Sequence, residues 1–106
     1  MISKELLNAV LGNISEIYNI KIANNTLFYV TEGYINEINV YELVHKCKKW
    51  AYKEDEWIIE SGLDYANLFG RHSCTDDAPI KVFDGQTEPK AIFKACQWIL
   101  ENKVKG

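Results

Sequence analysis

Between Gly70 and Ala78 the chain reads GRHSCTDDA, the densest run of reactive side chains in the sequence. His72, Cys74, Asp76 and Asp77 bring an imidazole, a thiol and two carboxylates onto one short stretch. A thiol beside an imidazole is the raw material of a nucleophile with its base, and the same groups can ligate a metal. Neither set is complete. A catalytic cysteine takes its base from elsewhere in the fold, whereas His72 stands two positions from Cys74 on the same segment. A structural zinc site needs four ligands, and Cys47, Cys74 and Cys96 contain no CxxC pair. Asp76-Asp77 lacks the spaced acids and the following glutamate of a calcium loop. The plain reading is a solvated polar turn between strands. A second reading makes the stretch 69–78, with Arg71 and His72, the pocket of a small-molecule or signalling-nucleotide module. An enzyme dependent on Cys74 is a third.

His45 and Cys47 also look like a ligand pair until helical geometry is applied. Residues two apart on a helix point roughly 200° apart, so they cannot share a ligand. Cys47 and Cys96 fall on apolar stripes and read as small core residues, with His45 at a stripe's edge. No glycine pattern for phosphate occurs, because none of the six glycines opens a helix. No cofactor is expected, no metal, and no enzymatic activity.

The charge is more informative. The chain of 106 residues carries a formal net charge of -3, but its distribution is uneven. From Glu54 to Glu88 there are nine acidic and two basic residues, a local charge of -7, leaving +4 for the remainder. An acidic excess argues against direct nucleic-acid binding, although the Lys46, Lys49 and Lys53 stripe could meet an anion. Glu54-Asp55-Glu56 falls at the end of a helix, where carboxylates meet the negative end of the helix dipole. That mismatch points to an outward use, such as meeting a basic partner surface. Glu54, Asp55, Glu56, Glu60, Asp64, Arg71, Asp76 and Asp77 are accordingly the candidate partner-binding residues. Tyr41, Tyr52, Tyr65 and Trp98 lie off the main apolar stripes or near element ends and could serve as aromatic anchors.

The elements that must position these groups can be read from caps and periodicity. Ser3 caps a short helix carrying Leu6, Leu7, Val10 and Leu11, with Gly12 as its stop. From Ile14 the period is two, with Ile14, Tyr18, Ile20 and Ile22 expected on one face. Asn24-Asn25 closes a hairpin, and Thr26 to Glu32, apolar on both faces, reads as a central covered strand ended by Gly33. Asn39 caps a helix whose stripe is Val40, Leu43, Val44, Cys47, Trp50 and Ala51. Strands are expected at 57–61, 65–69 and 79–83, the last opening on Pro79. Thr87-Glu88-Pro89 opens the last helix, with Ile92, Ala95, Cys96 and Ile99 inward. The expected fold is α+β: one domain over 1–106, a mainly antiparallel sheet of four to five strands, two long helices and a short N-terminal one.

Hydrophobic residues at 47% and charged residues at 25% suit a soluble globular domain, and a chain of this mass buries about two-thirds of its surface. The N-terminus lacks the layout of a signal peptide, no apolar run approaches the ~20 residues of a membrane span, and the odd cysteine set suits a reducing compartment. A cytoplasmic protein is expected, as a monomer or as a homodimer through an edge strand such as 79–83.

The stretches INVYELVHKCKKWA (38–51) and TEPKAIFKACQWIL (87–100) resemble small phage and prophage proteins grouped as a phage α-β-α sandwich domain. The likeness spans roughly the last two-thirds of the chain and rests on two capped helices, so it carries over no site residue. It implies a compact phage-encoded accessory protein that binds a host component in the bacterial cytoplasm. Joined to the acidic segment, it makes the leading expectation an inhibitor of a nucleic-acid-handling immune effector, such as an anti-CRISPR protein. Carboxylates would then pair with the Arg and Lys that hold nucleic acid.

Overall fold

In a computed structural model, which describes residues 2–12, 16–70 and 78–103, the two long helices meet along their apolar stripes and two sheets pack against the helical layer. The helices are α1 (Lys4–Leu11), α2 (Val40–Asp55) and α3 (Glu88–Lys103). The first sheet holds β1 (Ile17–Ala23), β2 (Thr26–Thr31) and β3 (Tyr34–Asn39), and the second β4 (Ile58–Ser61), β5 (Tyr65–Phe69) and β6 (Lys81–Asp84). Both are antiparallel meanders in sequence order. The fold is α+β in one domain, with two three-stranded sheets in place of the expected single sheet of four or five strands.

The difference begins at β3. Residues 34–38 carry Asn36 and Glu37 side by side, which breaks the alternation that marks a strand, so the strand is not legible from pattern alone. Its turn was the available signal. Glu32 and Gly33 both take positive φ, 54° and 80°, the two-residue hairpin geometry, and Asn24-Asn25 does the same at 51° and 61°. With β3 in place, β2 is the central strand of a complete meander and does not reach the later strands.

β1 also turns a different face to the core from the one its alternation predicts. Tyr18 pairs with Val30 and Lys21 with Phe28, so β1 spends three steps where β2 spends two, with Asn19 at a φ of 54°. This bulge reverses the parity of the strand. Ile17, not its even-numbered neighbours, is the buried residue, and Tyr18 faces outward at 46% exposure. Beyond the bulge Ile20 is half-buried against the core, while Ile22 reaches 39% exposure. Among the β2 residues only Leu27 is buried and the others are half-buried, so among the described residues the outer face of this sheet lacks the cover that was expected.

The helices follow their sequence signals closely. Ser3 Oγ accepts from the Leu6 amide at 3.1 Å, and Gly12 closes α1 at a φ of 94°. Asn39 Oδ1 accepts from the Tyr41 and Glu42 amides, and Val40 donates to the Asn25 carbonyl at 2.8 Å, which ties the start of α2 to the first hairpin. Val40, Leu43, Val44, Cys47, Trp50 and Ala51 are all buried, as are Ile92, Phe93, Ala95, Cys96 and Ile99 on α3. Thr87 Oγ1 accepts from the Lys90 amide at 3.4 Å. β6 starts at Lys81, with Pro79 and Ile80 leading into it. Among the described residues no helix is long and apolar enough to cross a membrane.

Candidate protein-binding face

α2 delivers the acidic triplet to the mouth of β4. Its last turn contains Glu54 and Asp55, and Glu56 stops it in a left-handed conformation at a φ of 56°, its amide donating to the Tyr52 carbonyl at 2.7 Å. A left-handed glutamate where glycine is usual, following two carboxylates at the negative end of the dipole, is locally unfavourable. All three side chains are exposed. On α2, therefore, the exposed basic stripe of Lys46, Lys49 and Lys53 runs into the exposed carboxylates of Glu54, Asp55 and Glu56 at the helix end.

Register then decides what the second sheet shows to solvent. Ile59 pairs with Leu68, and Ser61 with Ala66, which pairs in turn with Phe83; these face the helices. The alternate positions face outward. Ile58 stands beside Phe69, Glu60 beside Asn67 and Val82, and Tyr65 beside Asp84. Ile58 and Val82 are about half exposed, Glu60 and Asp84 are exposed, and Leu63 at the β4–β5 turn is 91% exposed. Asp64, also exposed, lies in that turn, where its carbonyl accepts from the Gly85 amide at 2.9 Å. Carboxylates thus precede, occupy and follow β4, with aliphatic side chains among them.

Tyr65 is held rather than loose. A methyl at Gly62 would come within 2.2 Å of the Tyr65 ring, so the ring lies directly over the glycine backbone. The Gly62 amide donates to the Tyr65 carbonyl at 3.1 Å, closing the turn beneath it. An aromatic ring fixed in advance loses little rotamer freedom on binding. Tyr65 is thus exposed as expected of an anchor, and the glycine three positions before it is what fixes its ring. The other expected anchors divide. Tyr41 and Tyr52 are exposed on α2, but Trp98 is half-buried and packs edge-on against Trp57, so it serves the core.

Of the expected binding residues, Glu54, Asp55, Glu56, Glu60 and Asp64 are exposed around β4. Arg71, Asp76 and Asp77, with His72 and Cys74, lie outside the described residues, as does most of the 69–78 stretch. Glu88, at the end of the acidic segment, is committed to the fold: it accepts from Ser61 Oγ at 2.7 Å and sits in the first turn of α3. His45 is exposed while Cys47 is fully buried, as expected of residues on opposite sides of a helix. Cys47 and Cys96 meet in the core, with Cys96 Sγ donating to the Cys47 carbonyl at 3.7 Å. The contact with the Cys47 side chain, then burial, pushes the Cys96 thiol well above its ordinary range and keeps it protonated. Among the described residues no three His, Cys, Asp or Glu side chains are grouped to hold a metal ion. Among the described residues, open hollows lie on the outer face of the first sheet and beside α3. Compared with known proteins, the chain matches no family model, no curated protein and no solved structure.

Proposed function

We propose that this chain is a small non-enzymatic binding protein that docks on a basic surface of another protein through the outer face of β4–β6. The observation that carries the reading is the concentration of exposed carboxylates around one strand, Glu54, Asp55 and Glu56 before it, Glu60 on it and Asp64 after it, beside Ile58, Val82 and a ring fixed over Gly62. Aromatic and aliphatic anchors supply the buried centre of an interface, and surrounding charge supplies steering and register.

The resemblance of residues 38–51 and 87–100 to phage α-β-α sandwich proteins supports a phage origin and a bacterial host partner. An acidic face competes most directly with nucleic acid, so the partner is a nucleic-acid-handling immune effector and the protein its inhibitor, of the anti-CRISPR kind. The test is competition. A guide-loaded effector is titrated with this protein at low salt while its binding to target DNA is followed. Wild-type protein displaces the DNA, and a variant with Glu54, Glu56, Glu60 and Asp64 changed to Lys does not. Displacement unaffected by those changes contradicts the acidic mechanism, and DNA binding unmoved by the wild-type protein contradicts this choice of partner.

A further inference from the structure

The first sheet shows solvent a face that β1, β2 and β3 build together and that no element among the described residues covers. Register sets its rows. Tyr18, Val30 and Ile35 cross the sheet in one row, and Lys21, Phe28 and Glu37 in the next. Tyr18 is 46% exposed and Ile35 78%, while Phe28 and Val30 between them are half-buried, and an open hollow of about 740 Å³ lies on this surface. The charges flank the apolar centre with opposite sign, Lys21 on one edge strand and Glu37 on the other, both exposed. With strands about 4.8 Å apart they stand roughly 10 Å from one another, too far for a direct ion pair within one chain.

That pattern is complementary to itself. We infer that this face binds a second copy of the chain, sheet against sheet, about a two-fold axis parallel to β2. Such an axis lays β1 of one copy over β3 of the other and preserves height along the strands. Lys21 then faces Glu37 of the second copy, and Glu37 faces its Lys21, so two ion pairs form by symmetry. Phe28 meets Phe28, Val30 meets Val30, and Tyr18 meets Ile35. Facing sheets pack about 10 Å apart, a gap that lysine and glutamate span together. The bulge at Asn19 serves this arrangement, because the reversed parity of β1 is what turns Tyr18 outward and Ile17 inward. The contact differs from pairing through the β6 edge, and it leaves the acidic face of β4–β6 open.

Three short strands make a small interface, so the dimer is weak, with Kd on the order of 100 µM. Sedimentation equilibrium of the full chain from about 10 µM to about 1 mM spans that value. The expected result is a mass rising from monomer toward dimer. Ile35→Asp, at a position too exposed to threaten folding, holds the chain monomeric over that range. Lys21→Glu and Glu37→Lys each set like charges face to face and weaken association roughly tenfold. Mixed in equal amounts, those two single variants form a heterodimer at wild-type strength, since every facing pair is then of opposite sign. An effect inside one chain cannot produce that rescue. A wild-type mass that stays monomeric, a dimer that persists in Ile35→Asp, or a mixture no stronger than its components overturns the inference.

Discussion

Trp57 and Trp98 meet edge to face, their ring centroids 5.7 Å apart and their planes at 89°. Trp57 leads into β4 and Trp98 lies on α3, so the pair fastens the start of β4 to the last helix. Both rings are half-buried against the core. Trp98→Ala removes a large apolar contact and the aromatic pairing together, and the expected loss is about 2–4 kcal/mol of unfolding free energy. Trp98→Phe retains most of it. The urea midpoint of each variant measures the difference.

Ser3 joins the two ends of the chain. Its hydroxyl caps α1 through the Leu6 amide and donates to Gln97 Oε1 on α3 at 2.7 Å. Ser3→Ala loses both, for an expected cost of about 1–2 kcal/mol. Gln97→Ala leaves the cap intact and costs less. Thermal unfolding of the two variants separates the contributions.

Gly85 has no room for a side chain. A methyl there would stand 2.6 Å from the Ala91 amide nitrogen and 3.0 Å from the Thr87 carbonyl oxygen, both backbone atoms at the start of α3. Gly85→Ala must therefore displace the first turn of that helix and is expected to cost about 1–3 kcal/mol. Gly62→Ala meets only the Tyr65 ring, which can swing away. It should leave stability closer to wild type while weakening partner binding, because the ring loses its fixed position. Denaturation and binding measured on the same samples check the contrast.

The Cys96 thiol gives stability a dependence on alkaline pH. Its pKa in the fold lies well above the ordinary thiol value, through the contact with Cys47 and through burial. The folded state therefore retains a proton that the unfolded state gives up. This contribution is complete below the unfolded thiol pKa of about 8.5 and declines as pH rises beyond it. Unfolding midpoints measured from pH 7 to 10 should fall more steeply in wild type than in Cys96→Ala. Thiol reagents should likewise modify Cys96 only as fast as the protein opens.

Local chemistry made most elements legible, and long-range register made the rest obscure. Ser3, Asn39 and Thr87 announced their helices because each cap is satisfied by an amide two or three residues on. The stripe from Val40 to Ala51 was readable because one helix face meets one core. β3 was hidden by Asn36 and Glu37, which sit mid-strand on a sheet open on one side. The bulge at Asn19 was hidden because residues 14–22 suggest an unbroken alternation, and only pairing with β2 shows the extra residue. Around the candidate site, the acids at 54–64 were legible as charge. That they surround one outward face, with Tyr65 seated over Gly62, depends on the pairing of β4 with β5 and could not be read along the chain.

The central claim is that carboxylates around β4 hold a basic partner surface. Its most direct measurement is the affinity of this protein for the guide-loaded effector, wild type against the variant with Glu54, Glu56, Glu60 and Asp64 changed to Lys, at low and at ~0.5 M salt. Wild type is expected to bind tightly at low salt and to weaken steeply as salt rises, with a loss of at least a hundredfold in the reversed-charge variant. Equal affinity of the two proteins at low salt contradicts that claim.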